Sequence, residues 1–466
     1  MDSNQKYKLA QIKQHKQDLS NNKSNVSLAD ILGSESCQRI ISGCREFREG
    51  IYTPLKTLFI FIKQVLNPDK SCKNAVAEVV AEHLITNRKS VSINTGPYCK
   101  ARKRLPEPTV HELVKEVGKS SAKKAIPSWK AFGRELKAVD GSTVVMPDTK
   151  DNQEVFPQQT VQKNGLGFPI VRMVVVMSLT VGTVLDYAFG AFKGKGNGES
   201  TLLRSIFDCI EQDDILLGDR YYPSFFLIGD VLAKGADGIF RGQAQRLYDF
   251  RKGVNLGKKD HIVEWRRPKK PKLMDQLTYD TYPEKIRVRE FKVGGIVYVT
   301  TFLNNKKYRS KELASIYKTR WQIEISLKNI KETMIMDMAS CKTPEMVKKE
   351  IGIHFLAYNF IRIIMAEACV QYGAIPSQVS FKGTVQLLNK FMPHFINSNK
   401  RVNKIMYGEL LKNIVKNKIG NRPGRVEPRA VKRRPKPYDM LTRPRNVEKI
   451  RLLRRIERII SRNATA

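Results

Sequence analysis

Acidic side chains, paired cysteines and long apolar runs are all in short supply in this sequence, and each shortage excludes something. Only 45 Asp and Glu stand against 83 Lys and Arg, giving a formal net charge of +38. A field of that sign opposes compaction by self-repulsion and calls for a polyanionic partner, with nucleic acid ahead of an anionic membrane surface. The seven cysteines (37, 44, 72, 99, 209, 341 and 369) are scattered and form no CxxC pair. The six histidines show no HxxxH spacing. That is poor material for a zinc site or a disulfide framework and fits a reducing compartment. The runs from Met173 to Val181 and Ile351 to Met365 are short or interrupted, below the roughly 20 apolar residues that span a bilayer. The first residues carry no apolar signal core, so we expect an intracellular protein without a membrane partner.

What is present divides into five regions. Residues 1–130 read as helices and form a candidate DNA-binding region. There, a turn from Ser92 to Pro97 precedes a basic helix start, Tyr98 to Arg104. This is either a helix-turn-helix reader of DNA or a connector between packed helices. Residues 131–245 change to strand patterns: Leu136 to Asp140, Ile170 to Leu179, Thr183 to Phe192, Ile215 to Asp219 and Gly238 to Phe240. Helical spacing intervenes at Ser200 to Glu211 and Phe225 to Ala233, so the order predicts an α/β core with a mixed sheet. Residues 246–308 are strand-like, turn-rich and basic, and read as an inserted β-platform. Residues 309–395 return to helix, with one long helix expected from Arg309 to Thr333 and an apolar one from Glu345 to Tyr372. Residues 396–466 form a basic tail ending in a short helix, suited to tracking DNA or to dimer contacts.

The chemistry concentrates on the first of those helices. At about 100° per residue, Tyr317, Arg320, Glu324 and Lys331 fall within an arc of about 60°. Ile316, Ile323, Leu327, Ile330 and Met334 form the adjacent apolar stripe. One carboxylate among cations and a phenol is what a phosphodiester-cutting site needs, a metal holder beside phosphate holders. Taken alone, the helix is better explained as an ordinary amphipathic one with i,i+4 pairs such as Arg320–Glu324 and Glu324–Lys328. Two further carboxylates change the weighing, since Asp140 and Asp219 each end a strand, where open α/β sheets place their ligands. Either aspartate alone is an ordinary turn former.

The spacing Tyr-x2-Arg-x3-Glu-x6-Lys resembles the YREK signature of the insertion-sequence-four family of bacterial transposases. Asp140 in Val-Asp-Gly-Ser-Thr matches that family's first Asp, and Asp219-Arg220 its second. The likeness continues through Gly194 to Glu199, Cys341 to Met346 and the tail around Lys432-Arg433-Arg434-Pro435. It covers most of residues 90–445 and leaves residues 1–80 unmatched. The resemblance implies a ribonuclease-H-like catalytic core with a β-rich insertion, plus helical N- and C-terminal regions. It implies a DDE mechanism in which Asp140, Asp219 and Glu324 bind two Mg²⁺ ions, with Mn²⁺ able to substitute. Tyr317, Arg320 and Lys331, with Arg220 and Lys328 nearby, would hold DNA phosphate, and Trp265 would stack on a flipped base. The implied partners are double-stranded DNA, both terminal inverted repeats and target, and a second copy of the chain in a synaptic complex. The implied location is the bacterial cytoplasm, at the nucleoid.

Other residues invite weaker readings. Gly194 to Gly198 lacks the GxxxxGK[ST] frame and reads as a Gly-rich turn whose lysines touch the DNA backbone. Asp148 and Glu154 read as loop residues and Asp186 as solvent-facing. Arg172 either enters the site or sits at a strand edge. Tyr221 and Tyr222 either stack on DNA or pack at a helix start. Two rival functions stay open from sequence alone: a catalytically decayed or domesticated DNA-binding protein, and a ribonuclease-H-like nuclease that does not join DNA.

Overall fold

Among the described residues five helices come first: α1 (Glu35–Ser42), α2 (Pro54–Leu66), α3 (Cys72–Ile85), α4 (Gly96–Arg104) and α5 (Glu107–Lys123). The computed structural model describes residues 32–44, 50–85, 91–395, 400–420 and 441–464. The sequence places Pro at the start of α2, α4 and α5, where a missing N–H costs nothing. In α4, the basic helix, Tyr98 and Ala101 are buried and Arg102 lies over the Phe61 ring at 4.8 Å. Part of its basic face is therefore turned inward, as in a connector between packed helices.

Strand β1 (Leu136–Val145) is followed by helix α6 (Lys150–Val155), β2 (Ile170–Ser178), β3 (Val184–Ala191) and helix α7 (Glu199–Ser205). Then come β4 (Ile215–Gly218), α8 (Phe225–Ala233) and β5 (Asp237–Arg241). Strands β1 to β3 form an antiparallel meander, while β4 and β5 run parallel to β1. The order β3-β2-β1-β4-β5 with β2 reversed is the ribonuclease-H arrangement. The expected helix from Ser200 to Glu211 breaks after Ser205 into a short 3-10 turn, Phe207–Cys209.

The region read as a separate platform is continuous with this sheet. Strands β6 (Val254–Gly257) and β7 (Asp260–Arg266), helix α9 (Gln276–Asp280), and strands β8 (Lys285–Val293) and β9 (Ile296–Thr300) complete it. Because β9 pairs antiparallel with β5, one nine-stranded sheet runs through both, ordered β3-β2-β1-β4-β5-β9-β8-β7-β6. The physical reason is the edge of β5, whose unpaired N–H and C=O groups require a partner.

The expected single helix from Arg309 to Thr333 is two helices and a turn. Helix α10 (Ser310–Lys318) closes at Thr319, whose Oγ1 donates back to the Ile316 carbonyl at 2.7 Å, a bond that bends helices. Helix α11 (Trp321–Lys328) follows and widens into a π-turn, Asn329–Thr333. Helix α12 (Pro344–Tyr372) then runs through the centre of the molecule. It is long and apolar enough to cross a membrane, yet 83% of its most apolar window is buried, as in a core helix. Its Asn359 grips β3, accepting from Val184 N at 2.7 Å and donating to Val184 O at 2.9 Å.

Helices α13 (Phe381–Phe395), α14 (Lys400–Lys416) and α15 (Arg445–Ala464) end the described chain. Leu410, Leu411 and Ile414 of α14 are buried in the main core. The body thus extends past the boundary expected at residue 395. The basic run Lys432-Arg433-Arg434-Pro435 lies outside the described residues, as does 1–31.

Side chains from β1 alternate between two cores, as the pleat requires. Ala138 and Val144 join α12, and Val139 joins α7 and α8. Asp140 is thereby assigned to the face that meets α11, and position 141 to the opposite one.

Candidate active site

Asp140, expected to end a strand, lies midway along β1, which pairs with β2 as far as Val145 and sets Asp140 opposite Val175. Its Oδ1 accepts from Gly141 N at 3.0 Å, and its Oδ2 lies 3.8 Å from Arg320 Nη1. The same guanidinium pairs with Glu324 one turn along the helix. A single arginine therefore ties the strand carboxylate to the helix carboxylate. Asp140 is pushed up to about 7, first by burial, with Glu324 and Asp219 adding to the rise and Arg320 and Gly141 opposing it. Glu324 and Asp219 thus each lie within electrostatic reach of Asp140. Asp219 follows β4, and its Oδ1 accepts from Tyr221 N at 2.8 Å in a tight turn.

Tyr317 is 9% exposed and packs edge-on against Tyr298, ring centroids 5.2 Å apart. Burial raises its hydroxyl above the ordinary tyrosine value, and the nearby Arg320 opposes the rise. Lys331 reaches back to β1, its Nζ donating to Ser142 Oγ at 3.4 Å. Tyr317, Arg320, Glu324 and Lys331 therefore still gather beside β1, despite the break and the π-turn between them.

Other expected residues lie elsewhere. Arg220 is exposed at the head of its turn. Lys328 is exposed too and points away from the carboxylates toward Glu332, 3.7 Å off. Trp265 does not offer a stacking face: it is 4% exposed, its Nε1 donates to Glu290 at 2.8 Å, and Arg246 covers its ring at 3.6 Å from the centroid. It anchors the second core under β7. We accordingly expect Trp265→Ala to cost about 3–5 kcal/mol of stability by cavity formation, read by chemical denaturation. An unchanged unfolding free energy would contradict this placement.

Asp186, read as solvent-facing, is 2% exposed because α5 covers β3. It accepts from Tyr187 N at 2.7 Å and faces His111 Nε2 at 2.6 Å. Asp148 is exposed and bonded to Gln153, and Glu154 is exposed on α6. Neither joins the carboxylates.

Glu199 was not singled out from the sequence, yet its carboxylate lies against Gly141 from the far side of the sheet. A Cβ at position 141 would fall 2.4 Å from its Cδ. Tyr222, buried, donates to Glu199 Oε2 at 3.3 Å. Burial raises the Glu199 carboxyl, Asp219 adds to the rise, and Tyr222 and Arg172 oppose it. Arg172 donates to the Asn197 carbonyl at 2.9 Å and so fixes the Gly-rich turn that leads into Glu199. The available signal was the glycine directly after Asp140, since a glycine inside a strand marks the close approach of another group.

As a donor set, Asp140, Asp219 and Glu324 supply only hard oxygens, which suit Mg²⁺-like ions and disfavour thiolate-seeking ones. Among the described residues no three His, Cys, Asp or Glu side chains converge closely enough to grip one ion as they stand. Asp140 and Glu324 turn onto Arg320 instead, and that guanidinium supplies the positive charge between them. The oxygen donors and the stand-in cation between them fit a divalent ion.

Residues 131–360, which hold all of these carboxylates, match the family described as "Transposase DDE domain". The chain is 29% identical over 328 residues to "Transposase InsG for insertion sequence element IS4" of Escherichia coli (strain K12), covering 67% of this chain and 70% of that protein. A shorter stretch of 72 residues is 31% identical to "Transposase for insertion sequence element IS421" of Escherichia coli, covering 16% of this chain and 19% of that one. A piggyBac transposase, solved as a synaptic complex with hairpin DNA, covers 84% of this chain and 82% of its own at TM-score 0.42 and 9% identity. DDE transposases bind DNA and work with divalent metal ions. The chain carries the DDE domain of the transposases and is a DNA-cleaving and strand-transferring enzyme, similar over two thirds of its length to an insertion-sequence-four transposase.

Proposed function

We propose that Asp140, Asp219 and Glu324 are the catalytic carboxylates and that they hold Mg²⁺, with Mn²⁺ able to replace it. The observation that carries this reading is the single guanidinium of Arg320 shared by Asp140 and Glu324. Two elements far apart in sequence present carboxylates to one cation there. Bound divalent ions would activate the attacking oxygen and stabilise the leaving one in an in-line displacement. The rest falls to the chain. Arg320 and Lys331 hold the phosphate beside the cleaved bond, and Tyr317 supports Arg320 from below, its ring centroid 6.0 Å from the guanidinium carbon. Glu199 borders the same carboxylates from the opposite face of β1.

We assign the substrate as the element's terminal inverted repeats, followed by target DNA, and the working unit as a homodimer. Helix α15 supports both assignments. Leu452, Leu453, Ile456, Ile459 and Ile460 are all about half exposed or more, and fall on one side at about 100° per residue. Arg451, Arg454, Arg455 and Arg458 fall on the other. The apolar side suits a second copy and the arginine side suits phosphate.

The test is a cleavage assay with Mg²⁺ on a labelled fragment carrying the flanks of the gene. Cutting at the repeat boundary, followed by strand transfer into a plasmid, is the expected result. Tight binding without cutting would mean a decayed DNA-binding protein, and cutting without joining would mean a nuclease.

A further inference from the structure

The last turn of the Glu324 helix is held from outside. A helix end leaves carbonyl groups without intrahelical partners, and a cation near them is favourable. Here that cation comes from the N-terminal region, 264 residues earlier in sequence. Lys70, in the link between α2 and α3, donates from Nζ to Met334 O at 2.8 Å and to Ile335 O at 2.5 Å. Its third partner is His354 Nε2 at 3.0 Å. The other ring nitrogen of His354 lies 2.8 Å from the Glu350 carbonyl and can only donate to it, which leaves Nε2 as the acceptor. All three ammonium hydrogens are therefore used.

The turn that Lys70 holds is strained. Ile335 sits at φ 55°, in the left-handed region that β-branched residues avoid. It lies two residues past the π-turn, and Met336 N donates back to Lys331 O at 2.9 Å. Release of the Met334 and Ile335 carbonyls would let Ile335 leave that conformation. Lys331, bonded to the same turn, would move with it and lose its bearing on Ser142 of β1.

Lys70 is itself fixed from the basic helix. Its carbonyl accepts from Gln64 Nε2 at 2.7 Å, and Gln64 Oε1 accepts from Tyr98 at 2.7 Å and from Arg102 at 3.3 Å. Hydrogen bonds thus run from α4, through Gln64 and Lys70, to the end of the catalytic helix.

We propose that Lys70 is a positioning residue for DNA cleavage, clamping the carbonyl end of the Glu324 helix and so fixing Lys331 against β1. It touches no reacting atom and acts through Lys331, so the proposal rests on the assignment of Lys331 to the phosphate beside the cleaved bond. Single-turnover cleavage and DNA affinity are to be measured on duplexes from the gene's flanks, with full-length Lys70→Met, Lys331→Ala and the double variant. Lys70→Met is expected to slow cleavage at saturating DNA about 10-fold, as a small misplacement near the chemistry does. DNA affinity is expected to stay within about twofold, since Lys70 is spent on protein carbonyls. On top of Lys331→Ala the change should add almost nothing, because both act through one group. Adding Ile335→Gly to Lys70→Met should restore most of the rate, since glycine takes the left-handed turn without strain.

A wild-type rate for Lys70→Met beside an impaired Lys331→Ala would overturn the clamp and leave the phosphate assignment standing. A wild-type rate for Lys331→Ala would remove that assignment and the clamp with it. Additive losses would show that Lys70 acts elsewhere, by general destabilisation. Should Lys70→Met fail to fold, Lys70→Gln is read against the same outcomes.

Discussion

Glu324→Gln is expected to lower DNA cleavage by about 1,000-fold or more, while binding of the same DNA stays within a factor of about two. The size follows from what a metal-holding carboxylate supplies: several kcal/mol of transition-state stabilisation, at about 1.4 kcal/mol per factor of ten. The asymmetry follows from charge. A chain of net charge +38 draws phosphate with many cations, and removal of one acid only strengthens that field. Glutamine keeps the shape and one acceptor for Arg320, so the ion pair weakens without leaving a hole. Folding should be preserved, because Glu324 is part exposed and its partner Arg320 retains Asp140. Cleavage and filter-binding measurements on one fragment check both halves. Cutting by the variant within tenfold of wild type would take Glu324 out of the reaction. Equal loss of binding and cutting would make it a structural residue.

The candidate site was legible where local rules determine it. Asp140 lies in a buried strand and Asp219 directly follows one, and a period of 3.6 residues sets Tyr317, Arg320, Glu324 and Lys331 on one side, which they keep although the helix breaks at Thr319 and widens after Lys328. The five core strands were legible for the same reason, as runs of β-branched residues bounded by turns. What the sequence hid depends on partners far along the chain. Strand β5 meets β9 through Phe240 and Val299, so the continuation of the sheet into the insertion is a long-range event. Trp265 reads alike whether its ring faces solvent or Arg246, and only the fold decides. Asp186 alternates correctly for an outward position, and it is buried because α5, distant in sequence, lies over it and sets His111 against it. The break at Thr319–Arg320 has neither Pro nor Gly to announce it. Its cause is a threonine hydroxyl turned back on its own helix, and the same residue type sits unbroken in many helices.

Gly141→Ala should cost about 100-fold in cleavage with little loss of stability. The glycine does not stand here for a left-handed backbone, since it lies in regular strand between Val174 on β2 and the carboxylate of Glu199. The added methyl would come within 2.4 Å of Glu199 Cδ and Oε1, closer than atoms can approach. One of them must give way. The backbone of β1 at Gly141 is held in antiparallel register by β2, whereas the colliding atoms are the far end of a flexible side chain. Glu199 therefore swings aside, breaking its bond to Tyr222 and leaving the fold intact. The loss falls on activity because this carboxylate borders Asp219 and the Asp140 strand, and displacement of such a group by about 1 Å costs on the order of 10²-fold. The double variant Gly141→Ala with Glu199→Asp shortens the acid by one methylene and should recover part of the rate. Thermal melting and cleavage measured side by side separate the possibilities. Full activity for Gly141→Ala would show that Glu199 only fills space, and a lowered melting point matching the lost activity would place the damage in the strand instead.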